Sequence, residues 1–394
     1  MQLSATSIYP YFLISTLLLL GASTISNRSK FYRELLDSES ASTRFLAIDG
    51  LRGFLALGVF FGHALTSYFY YVEGRWIGAH SKFYSFLAQG GVGLFFMITA
   101  FLFWNKGLQA RPFLQVQTML WSRVCRLTPL YFFSMATVIA IAVVITDFQI
   151  QQTVPMLIRQ ICALLSFGFI SIGEINGFQE GQLINAGVQW TLRYEWLFYL
   201  FLPLGLLFKK GWGFLILSVV ASLIIQAFSV KAVEWFFLFG SVAALLVSSS
   251  TFIKLQPKFW NSKFVTFILL IIFPLLATTI SNGYGFSLAT LLFLLFICIA
   301  NGNDLFGLLT SRPARFLGTI SYSIYLMHGI VLFVALRSIN RIIPIPTLTP
   351  AYFWIVVTIC AAFLVFVCSI TYRFIEHPFL KVSMPRWLVG NSVH

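Results

Sequence analysis

Apolar runs recur along the whole chain, near 7–23, 47–71, 83–104, 127–147, 155–173, 195–208, 212–229, 232–249, 264–280, 284–300, 316–336 and 352–372. About 20 mostly apolar residues suffice to cross a bilayer, so each of these twelve runs is a candidate crossing. The longest gaps between them, 24–46, 105–126 and 174–194, are too short to fold as soluble domains. A water-soluble alternative fails on composition. Only 10% of the residues are charged, against about 25% in soluble domains, and a polar surface cannot be assembled from so few. The chain therefore reads as an all-α polytopic membrane protein without internal repeats.

The net charge of +14 would suit nucleic acid if the basic residues formed a patch. They fall instead in the gaps: Arg28, Lys30, Arg33 and Arg44; Lys106, Arg111, Arg123 and Arg126; Lys209 and Lys210; Lys254, Lys258 and Lys263; Arg312 and Arg315; Lys381 and Arg386. This is the pattern of cytoplasmic loops, and no nucleic-acid partner is expected. If all these clusters share one side, one crossing too many lies between Arg126 and Lys209. The run at 155–173 carries Arg159 and Gln160 and is followed by Glu174 and Glu180. It reads as a re-entrant or partly inserted helix in an outside-facing region, 148–194, where protein or water can cover irregular backbone. Eleven crossings remain, with the N-terminus outside and the C-terminus cytoplasmic. The first run has no Lys or Arg before it, which favours a retained anchor over a cleaved signal peptide. The expected organisation is an anchor and linker over 1–46, a membrane domain over 47–380 and a short tail over 381–394.

Cys125, Cys162, Cys298, Cys360 and Cys368 lie in or beside apolar runs with no C-x-x-C pair, so neither a disulfide framework nor a metal site is indicated. Ionisable residues inside the runs are more informative. In LAIDGLRGFLALGVFFGHALTSYFYY, Arg52 and His63 are eleven positions apart. At 100° and 1.5 Å per residue they share one helix face, with His63 about 16 Å deeper. Asp49 precedes Arg52 by three residues and can pair with it. An anchoring arginine and a satisfied interhelical histidine would be the structural reading. Two costly groups on one face favour function, and a neutral imidazole can serve as a general base.

The stretch WSRVCRLTPLY places Arg123 and Arg126 on one face, either as ordinary anchors or as a grip for phosphate. In WTLRYEWLFYLFLP, Glu195 is expected to begin a helix at the outer side, beside Arg193 and Tyr194. It serves there as a dipole partner, or it orients a hydroxyl acceptor or pairs with an active-site cation. GTISYSIYLMHGIV carries Ser321, Tyr322, Tyr325 and His328, and YRFIEHPF carries Glu376; either stretch can be helix packing or capping. Tyr194, Tyr322 and His328 form a second tier of candidates.

Taken in order, DGLRG with its R-x(10)-H spacing, GGVGLFFMITAFLF, R-x-x-R, WTLRYEWLFYLFLP, LGTISYSIYLMH and YRFIEHP resemble the acyltransferase-3 family of membrane O-acyltransferases over residues 47–380. The resemblance implies a ten-helix core, to which this chain adds the N-terminal helix and the re-entrant one. It implies transfer of an acyl group, usually acetyl from acetyl-CoA, at the cytoplasmic face of the inner membrane. The acceptor would be a hydroxyl of a glycan or glycolipid outside, such as O-antigen or exopolysaccharide. Arg52, Arg123 and Arg126 would contact the CoA phosphates, and His63 would be the base or acyl relay. Glu195, matching the family's W-x-L-x-x-E, would serve the acceptor side, with Asp49 also counted among the catalytic groups. No metal is implied. Thr99 and Ala100 stand where relatives often carry Ser-Gly. With a short tail beyond Glu376, the membrane domain is expected to handle the acceptor alone. The competing reading is a transporter or flippase with Arg52 and His63 lining its pathway. It would call for paired, broken helices in two halves, and the sequence has no such pairing.

Overall fold

The computed structural model describes residues 3–40, 45–109, 112–171, 173–248, 257–279 and 283–385. Arg44, Arg111, Lys254 and Arg386 of the basic clusters, the Lys258 side chain and most of the 381–394 tail lie outside the described residues. Among those residues the only extended pairing is one bridge between Ile175 and Phe178.

The helices, in order, are α1 (Tyr9–Arg28), α2 (Lys30–Ser40), α3 (Leu46–Glu73), α4 (Lys82–Gln109), α5 (Pro112–Ile145), α6 (Val154–Leu164), α7 (Trp190–Gly205), α8 (Gly211–Phe228), α9 (Glu234–Ser248), α10 (Lys263–Thr279), α11 (Phe286–Ala300), α12 (Arg312–Thr319), α13 (Ser321–Asn340) and α14 (Pro350–Thr371). Every apolar run of the sequence holds a helix, the 155–173 run only as far as Leu164, and among the described residues 7 helical stretches are long and apolar enough to cross a membrane. The protein is thus an all-helical, multi-pass membrane protein. Of the eleven expected crossings, the runs in α7, α9, α10 and α11 form helices of only 15–17 residues, and helix α6 is shorter still. Its 11 residues rise about 16 Å, roughly half of a 30 Å hydrocarbon core. Val154, Met156 and Ile158 on it are exposed. Its buried Gln160 accepts from the Asn176 backbone N–H at 3.0 Å, and the Asn176 amide donates to Thr146 at 2.8 Å. These bonds tie the short helix to the end of α5.

Hydrogen bonds between distant segments define two ends. At one, Tyr84 donates to the Ser7 carbonyl, Trp354 to the Ser4 carbonyl, and the Gly283 N–H to Gln89. At the other, Lys209 donates to the Gly107 carbonyl, Tyr32 to the Ser369 carbonyl, and Arg312 pairs with Asp37 at 2.8 Å. The described residues of the basic clusters gather at this second, basic end. Helix α8 buries only Ile225, which leaves an almost wholly apolar cylinder to face lipid.

The two glycines of DGLRG have a steric cause. Near the basic end α3 meets α12 and the turn that precedes it backbone to backbone. A Cβ on Gly50 would lie 1.8 Å from the Leu309 carbonyl oxygen, and one on Gly318 would lie 1.7 Å from that of Asp49. Gly53 is crowded likewise by Leu317. Small residues are what allow helices to approach this closely in a membrane. The contact fixes Asp49 and Arg52 against α12.

Candidate active site

A cavity of about 90 Å³ opens between α3, α4, α5, α7 and α13. Its walls are mostly apolar, from residues such as Val92, Phe95, Ile98 and Leu102, but Arg52, Arg123, Arg126 and Glu195 also line it. Three guanidinium groups against one carboxylate leave an excess of positive charge in a space largely sheltered from water. Helix α5 begins at Pro112, well before the apolar run at 127. Arg123 and Arg126 therefore lie about three and four turns inside a continuous helix. Arg123 stacks over the Phe103 ring at 4.9 Å, and its buried Nε has no hydrogen-bond partner.

Glu195 departs from its expected place. The helix begins at Trp190, so Glu195 sits more than a turn inside it and faces the cavity rather than the outer boundary. The polar W-T-L-R-Y-E opening hides the true start from a hydropathy reading. Tyr199, one turn further on, donates to the Glu195 carboxylate at 3.2 Å and lies beside the Arg123 guanidinium. An Arg123–Tyr199–Glu195 relay results. Sequence reading missed Tyr199, although i,i+4 spacing from a candidate carboxylate pointed to it. Tyr194 does not line the cavity; it packs against Trp190 and Phe96, with Arg193 over its ring. Tyr322 and Tyr325 do line it. The Tyr322 hydroxyl donates to the Leu127 carbonyl at 2.9 Å, and that of Tyr325 bonds Thr191 at 2.9 Å.

A second space of about 220 Å³ lies at the basic end, lined by Glu39, Asp49, Arg52, Arg126, Tyr372 and His377 among others. Arg52 and Arg126 line both spaces, so their side chains form the partition between them. Next to this partition a π-helical turn, Tyr372–Glu376, ends α14. Such turns are frequent at functional sites. Glu376 is buried, accepts from Ser323 on one oxygen, and has no partner on the other.

Toward the opposite end, the two candidate histidines meet. His63 Nδ1 is 2.7 Å from His328 Nε2, and His328 Nδ1 is 3.1 Å from the Ile324 carbonyl oxygen. The chain of contacts assigns the protons. The carbonyl can only accept, so His328 Nδ1 carries a hydrogen. The neutral His328 ring then accepts at Nε2, and His63 donates from Nδ1. The remaining nitrogen, His63 Nε2, keeps its lone pair. His328 is fully buried while His63 is half-buried, so His328 can orient and His63 can react. Neither imidazole lines the arginine cavity itself. Tyr325, which does line it, lies 6.0 Å from the His328 ring.

The family model for an acyltransferase domain, Acyl_transf_3, matches residues 45–373, well over half of the chain. The chain belongs to the acyltransferase-3 family. No curated protein and no solved structure matches it significantly. As a membrane acyltransferase, it must bring an acyl donor and an acceptor together. The described geometry groups its candidates into a basic-end chamber, an arginine-lined cavity and a histidine pair.

Proposed function

We propose that this acyltransferase takes an acyl group, acetyl by preference, from acyl-CoA entering at the cytoplasmic, basic end. It passes the group to a hydroxyl of a cell-surface glycan reaching in from the opposite side. The observation that carries this reading is the His63–His328 pair, with one free imidazole nitrogen, set beyond a cavity that holds three arginines. Arg52, Arg123 and Arg126 offer guanidinium forks suited to the phosphates of CoA, and Arg123 retains an unused donor. Along α3, His63 is about 16 Å from Arg52, a span that an extended pantetheine arm can bridge. The 90 Å³ cavity, walled by phenylalanines, favours a short acyl chain over a fatty one.

In the transfer step, His63 Nε2 takes the proton of the acceptor hydroxyl as its oxygen bonds to the thioester carbonyl carbon. Collapse of the tetrahedral adduct breaks the C–S bond, and the leaving thiolate recovers the proton from His63. Positive charge in the cavity opposes the negative charge that develops on the donor. His328 holds His63 in the reactive tautomer, and Asp49 and Glu195 keep the arginines in place.

Membrane vesicles supplied with acetyl-CoA labelled in its acetyl group test the scheme. Label should enter glycan with wild-type protein and not with His63→Ala. Equal labelling by His63→Ala would remove His63 from the mechanism. Unlabelled glycan from wild-type vesicles whose glycan is still acylated would remove acetyl-CoA as the donor.

A further inference from the structure

The mechanism above leaves unused a small opening at the end away from the basic loops. It is lined by Ser67, Tyr70, Tyr71, Trp76, Gly329 and Phe333, among others. Its position follows from local structure. Gly74 takes a left-handed conformation, φ 69°, and ends α3, so the chain folds back and lays Trp76 6.1 Å from the His63 ring. Ser67, one turn beyond His63, donates to the His63 carbonyl at 2.8 Å. Gly329 adjoins His328 in sequence. It is packed so closely by Asn185 that a Cβ there would lie 2.3 Å from the Asn185 carbonyl carbon. The opening therefore sits directly above the histidine pair.

Its chemistry is aromatic and polar together. Tyr70 and Trp76 stand 6.2 Å apart at 60°, and Tyr70, Tyr71 and Trp76 are all half-buried, with part of each ring uncovered. The Tyr70 hydroxyl lies beside the Glu180 carboxylate. Arg337, over the rings of Phe178 and Phe333 at 5.4 and 5.6 Å, has a buried Nε without a partner. Flat rings suit the C–H face of a sugar, and a carboxylate and guanidinium beside them suit its hydroxyls. A lipid chain would leave those polar groups unsatisfied. The enclosed part is only about 20 Å³, close to the space of one water.

We infer that this opening is the acceptor subsite. A pyranose ring rests on the rim formed by Tyr70, Tyr71 and Trp76, and one hydroxyl alone enters toward His63. The inference rests on the acyl-transfer reading for its purpose but not for its test. Regioselectivity follows directly: the depth admits a single protruding oxygen, so one position per sugar is acylated.

Saturation-transfer NMR with methyl glucoside, galactoside, mannoside, rhamnoside and N-acetylglucosaminide is the direct probe. It uses the full-length protein in lipid nanodiscs, because sugar-headed detergents would compete. At least one glycoside should show saturated ring protons. Loss of roughly 55 Å² of apolar contact in Trp76→Ala should weaken its binding about tenfold. Trp76→Phe should bind nearly as wild type, and Trp76→Leu, which keeps bulk without a flat face, should not. In a parallel assay with labelled acetyl-CoA, Trp76→Ala should raise the KM for that glycoside about tenfold and leave the KM for acetyl-CoA unchanged. Absence of saturation for all five glycosides overturns the subsite, as does equal binding by wild type and a folded Trp76→Ala or Trp76→Leu. If the glycoside binds through Trp76 but no label moves, the subsite stands and the acyl-transfer reading falls. If label moves with unchanged KM in Trp76→Ala, the reverse holds.

Discussion

His328→Ala is the substitution that best separates the proposed roles of the two histidines. In the native protein His63 Nδ1 donates across 2.7 Å to His328 Nε2, and His328 is completely buried. Removing the acceptor leaves a buried N–H unsatisfied, at a cost of about 1–3 kcal/mol. The imidazole can escape that cost by moving its hydrogen to Nε2 or by turning, and either response removes the lone pair that accepts the acceptor's proton. If the whole penalty falls on the reactive arrangement, the transfer rate drops about 5- to 150-fold. His328→Gln supplies a carbonyl oxygen to accept from Nδ1 and should return the rate to within about threefold of wild type. Loss of the base itself, in His63→Ala, should cost about 100- to 10,000-fold. The assay is label transfer from acetyl-CoA in purified vesicles, with thermal unfolding measured on each variant to exclude misfolding. The reasoning is refuted if folded His328→Ala transfers at the wild-type rate, or if Gln at position 328 is no better than Ala.

Three further outcomes follow from other parts of the site. Gly318→Ala places a carbon 1.7 Å from the Asp49 carbonyl oxygen. Its relief must separate α3 from α12, lowering stability by about 1–3 kcal/mol and transfer by about 100-fold, read by thermal unfolding and label transfer. Tyr199→Phe cuts the link between Arg123 and Glu195 and should raise the KM for acetyl-CoA about tenfold with little change in kcat; an unchanged KM would show that the relay does not position the donor. Arg123→Lys keeps the charge but loses the planar fork. It should fail to restore donor binding, whereas a mere need for positive charge would let it bind acetyl-CoA as wild type.

Much of the architecture was legible because the bilayer reduces folding to length, hydropathy and loop charge. Each apolar run holds a helix, and the polar Gln160 marked α6, the shortest of the apolar helices among the described residues. Starts of helices were less legible. Arg123, Arg126 and Glu195 looked terminal because apolar content falls around them, yet neighbouring helices cover those turns and let them run on. Contacts between distant segments were not legible at all. His63 and His328 are 265 positions apart, and no local pattern announces that one accepts from the other. Likewise, the glycines of DGLRG stand out as a motif, but their cause lies in Leu309, Leu317 and Gly318.

The backbone contact of α3 with α12 also has a mechanical consequence. With no side chain between them at Gly53 and Gly318, neither helix can slide along the other without driving backbone into backbone. The pair behaves as one stiff strut that carries Asp49, Arg52 and His63 together. A carrier that works by rocking two halves about a central site needs a slip plane, and this strut denies one there. Those three side chains accordingly keep a constant spacing along one rigid edge of the protein.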